Sequence, residues 1–312
     1  MAKRSQSRIN LLLGIDKPSG MTSHDVVARV RRALGERRVG HSGTLDPMAT
    51  GVMVVGVGQA TRLLGLITLD TKSYIAEITF GAETDTDDVE GRVVREASAR
   101  PELFDSAFAS KVVTDVIGVQ EQVPPAYSAI SVNGVRSYKR ARSGEDVELP
   151  ARTIEVIDAL LLGVEEREGN AVWTVAFTVS KGTYIRALAR DLGRTLDNAA
   201  HLSALRRTAS GSIGISSCLA FDEVNEASAQ ASALDPVAVL GALACPVGED
   251  VLGDIANGRR LPTASVPTCG DTSSSRLLGL THRDALVALA RRSDDLVVPE
   301  MVFPQPIGGV HL

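Results

Sequence analysis

Apolar runs of strand length, without regular crossover helices between them, restrict this chain more than any other feature of its sequence. Gly51 to Gly58 (GVMVVGVG) is a near-continuous apolar run, as a strand buried on both faces requires. Ser73 to Phe80 (SYIAEITF) alternates as a half-buried strand should, and only a short helix from about Gln59 fits between the two. Leu11 to Ile15 reads as a buried strand, and further strands are expected at Ile154 to Leu162 and Val172 to Val179. Helical spacing is confined to a few stretches. Thr22 or Ser23 starts a helix whose apolar positions are Val26, Val27, Val30, Ala33 and Leu34, and Tyr184 to Leu196 places Ile185, Leu188, Ala189, Leu192 and Leu196 on one face. Strands outnumber crossover helices, which favours an α+β, mixed-sheet architecture over a doubly wound one.

The 312 residues, at about 100 to 200 per domain, suggest two domains, and 44% hydrophobic residues suffice for a sizeable core. Helical content from Phe221 to Leu243 leads to a boundary near residue 247. Beyond it, short apolar segments at Leu277 to Leu280, Ala285 to Ala290 and Leu296 to Val298 suggest a small β domain, preceded by a polar loop from Thr263 to Ser275 expected to be mobile. No apolar run approaches the roughly 18 residues of a membrane span. The basic N-terminus has an apolar stretch of only Leu11 to Ile15 before Asp16, so no secretory leader is expected and the chain is placed in the cytoplasm. Cys218, Cys245 and Cys269 lie far apart with no CxxC, and the five histidines are scattered, so neither a disulfide framework nor a metal site is expected.

Net charge is −5, which taken whole argues against a nucleic-acid footprint. The distribution differs. Residues 1–64 carry a net +6, 65–128 carry −7, 129–210 carry +2 and 211–312 carry −6. Arg29, Arg31, Arg32, Arg37 and Arg38 crowd ten residues with one acid, Glu36. Charge alone leaves two readings open, a patch facing a polyanion and a solvated helix face.

The densest motif is Gly40-His41-Ser42-Gly43-Thr44-Leu45-Asp46-Pro47-Met48-Ala49-Thr50-Gly51. Three glycines and a proline restrict the backbone to a tight loop that presents one carboxylate. Asp46 held in this way can act as nucleophile or general base, and spacing alone leaves open that it only caps an Asx-type turn. Two other motifs fail. Asp85-Thr86-Asp87-Asp88-Val89-Glu90 lacks the oxygen ligand and glycine a calcium loop needs at its fifth and sixth places, and reads as a surface loop. Gly56-Val57-Gly58 lacks the third glycine of a dinucleotide fingerprint and reads as strand-to-helix punctuation.

The run GHSGTLDPMATGVMVVGVGQATR is preceded by DKPSGMTSHDVV and followed by KSYIAEITFGAETDTDDVEG, QVPPAYSAISVNGVRSYKRARSG and SKGTYIRALARDLG. These five ordered blocks, over about residues 11 to 210, resemble the TruB family of tRNA pseudouridine synthases. The resemblance implies a mixed, mostly antiparallel sheet in a catalytic domain over residues 1–247, with an RNA-binding insertion at about 124–152. It is weaker over 248–312, which is similar to the small PUA-like domain closing bacterial members. It further implies isomerisation of uridine 55 in the T-loop of tRNA to pseudouridine by base flipping, with no cofactor or metal and no protein partner.

Residue by residue, the family's nucleophilic aspartate matches Asp46, which would attack either the sugar C1′ or ring C6. Arg186, in KGTYIR, matches the arginine that pairs with that aspartate; such a partner keeps a carboxylate ionised in a dry site. Tyr74 matches the residue that stacks on the flipped base and relays the C5 proton, Tyr184 a second pocket residue, His41 a histidine that meets the nucleotide and Leu205 a pocket wall. All four tyrosines, Tyr74, Tyr127, Tyr138 and Tyr184, fall inside the matched blocks. Arg62, Arg136, Lys139, Arg140, Arg142, Arg206 and Arg207 are candidates for phosphate contacts, Arg62 being the best matched. Ser131 stands where the family commonly has lysine. Two rival functions are a glycosidase, for which no motif places the second carboxylate, and an RNA-binding module without turnover, which the basic patch and tyrosines would serve equally.

Overall fold

A computed structural model describes residues 6–67, 71–98, 100–128, 131–132, 135–137, 140, 149–266 and 276–311. The chain forms two compact units, one of residues 1–47, 51–68 and 212–312, the other of 48–50 and 69–211. The architecture is α+β with mostly antiparallel sheet, as the strand-rich sequence requires.

In the unit that holds the N-terminus, strand Leu11–Lys17 pairs antiparallel with strand Thr50–Val57, from Leu11 opposite Val57 to Lys17 opposite Gly51. Strand Val39–Ser42 flanks the latter antiparallel, and Cys218–Ala220 joins the former in parallel. Helix Ser23–Leu34 begins at a capping box. Asp25 N–H donates to Thr22 Oγ1, and the Thr22 hydroxyl and then Thr22 N–H, both donating to Asp25 Oδ2, hold the exposed Asp25 carboxyl below its ordinary range. Its apolar face, Val26, Val27, Val30 and Leu34, packs with Leu13, Ile15, Met53 and Val55 in one core. The predicted helix after the apolar strand is a single 3₁₀ turn, Gly58–Arg62.

The same unit contains a five-stranded sheet in the order Leu243–Pro246, Leu277–His282, Ala285–Ser293, Leu296–Gly308 and Leu261–Pro262, closed on a core that includes Cys245, Leu280, Ala288 and Val297. Its first strand lies just ahead of residue 247. The sheet is fastened to the N-terminal segment by Gly308 N–H to Asn10 O at 3.0 Å and by Ser7 N–H to Gln305 Oε1 at 2.9 Å. Between 221 and 243 the helical content is a 3₁₀ turn, Phe221–Glu223, and two short α-helices, Glu226–Ala231 and Pro236–Val239. Of the loop expected at 263–275, Thr263–Ser265 form a short turn and residues 267–275 lie outside the described residues.

In the other unit, strands Ala200–Ser210, Thr71–Phe80, Asn170–Ser180, Arg152–Arg167 and Gly118–Gln122 lie side by side in that order, all antiparallel. The 152–167 and 170–180 strands outrun the expected segments because a two-residue turn, Glu168-Gly169, joins them with both residues at positive φ. The 200–210 strand carries little β propensity, and register shifts after Leu202 and after Arg207 break its alternation, so its pattern was not readable as a strand. Helix Ile185–Thr195 packs on the 200–210 and 71–80 strands, and helix Ser106–Asp115 packs on the 152–167 strand. The buried Trp173 donates from Nε1 to Leu103 O at 2.7 Å.

Gly58 is held at φ +61°, and a Cβ there would sit 2.2 Å from Ile9 O and 2.3 Å from Asn10 Oδ1. Asn10 Oδ1 in turn accepts from Gln59 N–H at 2.8 Å. Gly58→Ala is therefore expected to cost at least about 2 kcal/mol, combining the left-handed penalty with a backbone clash. The midpoint of urea unfolding reports this, and an unchanged midpoint would contradict the geometry.

Candidate active site

Asp46 owes its placement to the residues on either side of it. Ser23, buried at the start of the 23–34 helix, accepts from Leu45 N–H at 2.9 Å and donates its hydroxyl to Leu45 O at 3.0 Å. On the other side, Pro47 O accepts from Gly20 N–H at 2.9 Å and from Lys17 Nζ at 3.2 Å. Lys17 is fully buried, and its ammonium also donates to Pro18 O at 2.9 Å and to Met21 O at 2.7 Å. A buried ammonium needs such an array, because an ion in an apolar medium is tolerated only when its donors are met. Asp46 itself is half-buried in a loop whose neighbours are fixed on both sides.

His41 lies on the 39–42 strand opposite Val55, and its ring meets that of His24, on the 23–34 helix, edge-on with centroids 5.8 Å apart. Arg62 donates to Val302 O at 2.5 Å, and its guanidinium lies 5.2 Å from the centre of the Phe303 ring. In this structure it fastens the 58–62 turn to the 296–308 strand. Asp46, His41 and Arg62 all belong to the unit with the N-terminus; Tyr74, Tyr184, Arg186 and Leu205 belong to the other.

Within that second unit, Tyr74 is buried on the 71–80 strand, opposite Phe177 on one neighbour and Arg207 on the other. Leu205 stands opposite Ala76, so Tyr74 and Leu205 share one face of the sheet as diagonal neighbours. Arg207 is 1% exposed on the same face, withdrawn from the surface, whereas Arg206 is half-buried and donates to Thr50 Oγ1 at 3.3 Å. Tyr184 is the residue preceding the 185–195 helix, and the Gln122 side chain clasps its backbone, accepting from Tyr184 N–H at 2.9 Å and donating to Tyr184 O at 3.1 Å.

Arg186 is buried in the first turn of that helix. It donates from Nη1 to Thr86 O at 2.9 Å and from Nη2 to Tyr127 O at 3.0 Å, and Nη1 lies 3.3 Å from Asp88 Oδ2. Arg190 and Arg194 follow at intervals of four on the same side of the helix. Arg190 pairs with Asp87 at 2.8 Å, and Arg194 with Glu83, which Arg95 also approaches to 3.2 Å. Burial alone would raise the Glu83 carboxyl, but Arg194 and Arg95 outweigh it and hold it below the ordinary range. The segment read from sequence as a surface loop is therefore corrected: Glu83, Asp87 and Asp88 are each less than one-tenth exposed. Every one of them faces an arginine that helical spacing supplies, which is what permits their burial.

Sequence reasoning missed Lys17, Ser23, Gln122 and the Arg190–Asp87 pair. The signals were present as KPSGMTS, as Arg-x-x-x-Arg-x-x-x-Arg and as consecutive acids, but the partner of each lies far away in the chain. In the basic cluster, Arg31, Arg32 and Arg37 are exposed at the end of the first helix, where they also complement its C-terminal dipole. Tyr138, Lys139 and Arg142 lie outside the described residues, as do the side chains of Ser131 and Arg136.

The strand-rich α+β fold of this chain recurs among solved structures. The chain matches, at a TM-score of 0.65 and 21% identity, a structure of an H/ACA RNP bound to a substrate RNA containing 2′-deoxyuridine, covering 95% of this chain and 85% of the other. It matches an archaeal box H/ACA sRNP Nop10-Cbf5 complex at a TM-score of 0.62 and 23% identity, over 94% and 85%. Sequence is more specific. Residues 31–185 match the TruB family pseudouridylate synthase N-terminal domain, and residues 186–242 the tRNA pseudouridylate synthase B C-terminal domain. The tRNA pseudouridine synthase B of Thermobifida fusca (strain YX) is 47% identical over 297 residues, covering 93% of this chain and 97% of that protein. That of Arthrobacter sp. (strain FB24) is 43% identical over 303 residues, covering 94% and 96%. The chain belongs to the TruB family of pseudouridylate synthases.

Lys17→Met should take from Pro18 O and Met21 O the donor they share, while Pro47 O keeps the Gly20 N–H. Its expected effect is a loss of about 1 to 3 kcal/mol in unfolding free energy, the cost of leaving buried acceptors unmet, read by urea titration. Stability equal to wild type would show that the carbonyls find other donors.

Proposed function

We propose that this chain isomerises uridine 55 in the T-loop of tRNA to pseudouridine, in the cytoplasm, without cofactor or metal. Residues 1–247 form the catalytic module in this reading, and 248–312 a PUA-like module. The observation that carries it is the fixed loop around Asp46, in a chain that matches the family from residue 31 to residue 242. The reaction breaks the N1–C1′ bond, turns the ring and rejoins it through C5, so the base must leave the stack and enter a pocket. Asp46 supplies the nucleophile, at C1′ or at ring C6, and its clamped neighbours hold it in place for attack. Arg186 is the cation that keeps Asp46 ionised in the closed site; it is itself oriented by Thr86 O, Tyr127 O and Asp88. Tyr74 stacks on the flipped base and relays the C5 proton, with Leu205 beside it as a wall. Tyr184 and His41 complete the contacts with the nucleotide.

Metal-free protein should convert a T-arm hairpin, scored as carbodiimide-dependent primer-extension stops. Asp46→Ala should abolish those stops while RNA binding persists, because the carboxylate contributes little to phosphate attraction. Turnover by this variant in a contamination-controlled assay would refute the assignment. Stops absent from the wild type, with binding intact, would favour an RNA-binding module. Tyr74→Phe keeps the ring but not the hydroxyl, so binding should hold while the rate falls about a hundredfold or more.

Salt dependence tests the basic end of the first helix. Replacing Arg37 and Arg38 together should flatten the plot of log affinity against log salt by roughly one to two units, at about 0.7 to 0.9 per phosphate. Binding of matched and mismatched RNA should weaken alike, because phosphate contacts position without specifying. An unchanged slope would assign these arginines to a solvated helix end.

A further inference from the structure

The proposed reaction uses Arg186 but leaves unexplained the second buried ion pair one helical turn away. Arg190 and Asp87 are 7% and 6% exposed, and Arg190 Nη1 lies 2.8 Å from Asp87 Oδ2. Two further donors of Arg190 are engaged: Nη2 with Val123 O at 2.8 Å and Nε with Asp191 Oδ1 at 2.8 Å. Arg186 makes the same pattern of bonds, with Thr86 O and Asp88 on one side and Tyr127 O on the other. Both arginines therefore bridge the same two pieces of backbone, 86–88 and 123–127. The acidic piece is fixed further. Asp87 takes a left-handed φ of 62°, its N–H donates to Thr84 O at 3.2 Å, and its carbonyl accepts from Leu202 N–H at 3.1 Å. That conformation, uncommon outside glycine, lets two consecutive carboxylates both reach arginines on the helix.

We propose that Arg190 and Asp87 are positioning residues for Arg186: together they fix the two backbone segments, at Thr86 and at Tyr127, on which the Arg186 guanidinium rests. The role rests on the catalytic reading given above. A guanidinium held by two carbonyls follows them when they move, and a displacement of about 1 Å at a reacting centre can cost a hundredfold in rate. Neither Arg190 nor Asp87 needs to touch RNA for this.

The pair is also a source of pH dependence. Burial pushes the Asp87 carboxyl up to about 6, against the opposing pull of Arg190 and then of Arg186, and the nearby acids Glu83 and Asp191 push in the same direction as burial. Above that value Asp87 is ionised and paired; below it the carboxyl takes a proton and the ion pair is lost. Stability moves the other way. Because the folded value lies above the ordinary 3.8, this group's contribution to stability is present below pH 3.8 and is lost as pH rises through 6. Acid therefore weakens the positioning while favouring the fold, and the two roles carry opposite signs.

The test is single-turnover pseudouridine formation on saturating T-arm hairpin from pH 5 to 8, with wild type, Asp87→Asn and Arg190→Lys. Wild type should lose rate on the acid side with a midpoint near 6. Asp87→Asn should be about tenfold or more slower at pH 7.5, lack that acid limb and bind RNA within twofold of wild type. Arg190→Lys, which keeps the charge but not the fork, should also be slowed. Thermal unfolding should show wild type losing stability relative to Asp87→Asn between pH 4 and 7. An Asp87→Asn enzyme with the wild-type rate and acid limb would overturn the proposal. Were that variant not to fold, Arg190→Lys with the wild-type rate and limb would do the same. A wild type inactive at every pH would overturn the catalytic reading and this role with it, whereas an active wild type with unaffected variants removes the role alone.

Discussion

Burial of charge is the constraint on which the unit of residues 69–211 depends. Three acids, Glu83, Asp87 and Asp88, and two arginines, Arg186 and Arg190, are withdrawn almost completely from water, a state that several kcal/mol per ion would forbid without partners. Helix 185–195 solves the problem by repeating arginine every fourth residue, so that one face of one helix meets all three carboxylates. The consequence is directional. Arg186 is held by carbonyl oxygens as well as by Asp88, and carbonyls are fixed points of the backbone. A cation so held is anchored to the backbone and withdrawn from solvent.

The aspartate loop follows the same logic with different groups. The two neighbours of Asp46 are pinned, Leu45 by the Ser23 hydroxyl and Pro47 by Lys17 and Gly20. Lys17 sits at the end of a buried strand and spends its donors on three carbonyls, converting a short Pro/Gly-rich stretch into a rigid support. These hydrogen bonds are what the segments around Lys17, Ser23 and Asp46 do for one another.

Arg62 shows how far a residue-by-residue match can carry. It was matched as a phosphate contact, yet here its guanidinium is engaged with Val302 O and the face of Phe303. A cation stacked on an aromatic ring and bonded to a strand carbonyl contributes to holding the five-stranded sheet against the 58–62 turn. The phosphate role and the fastening role draw on the same donors.

Much of the frame was legible from periodicity alone. The 23–34 and 185–195 helices, the cap of the former and the strands at 11–17, 50–57 and 71–80 were written in local patterns, because capping and amphipathicity are decided within a few residues. Asp46 stood out because it lies in the densest motif of the chain, whereas the other candidates were named only through the family resemblance. What sequence could not show was the strand 200–210, whose bulges erase the alternation, and the burial of the 83–88 acids, which looked like a solvated loop. Both depend on partners about a hundred residues away: Leu202 meets Asp87, and Arg190 meets the same residue from the helix. Local chemistry determined which segments are helix and strand and which carboxylate is offered; only the tertiary structure decided which charges are buried, because a charge enters the interior only where a distant residue is brought to meet it.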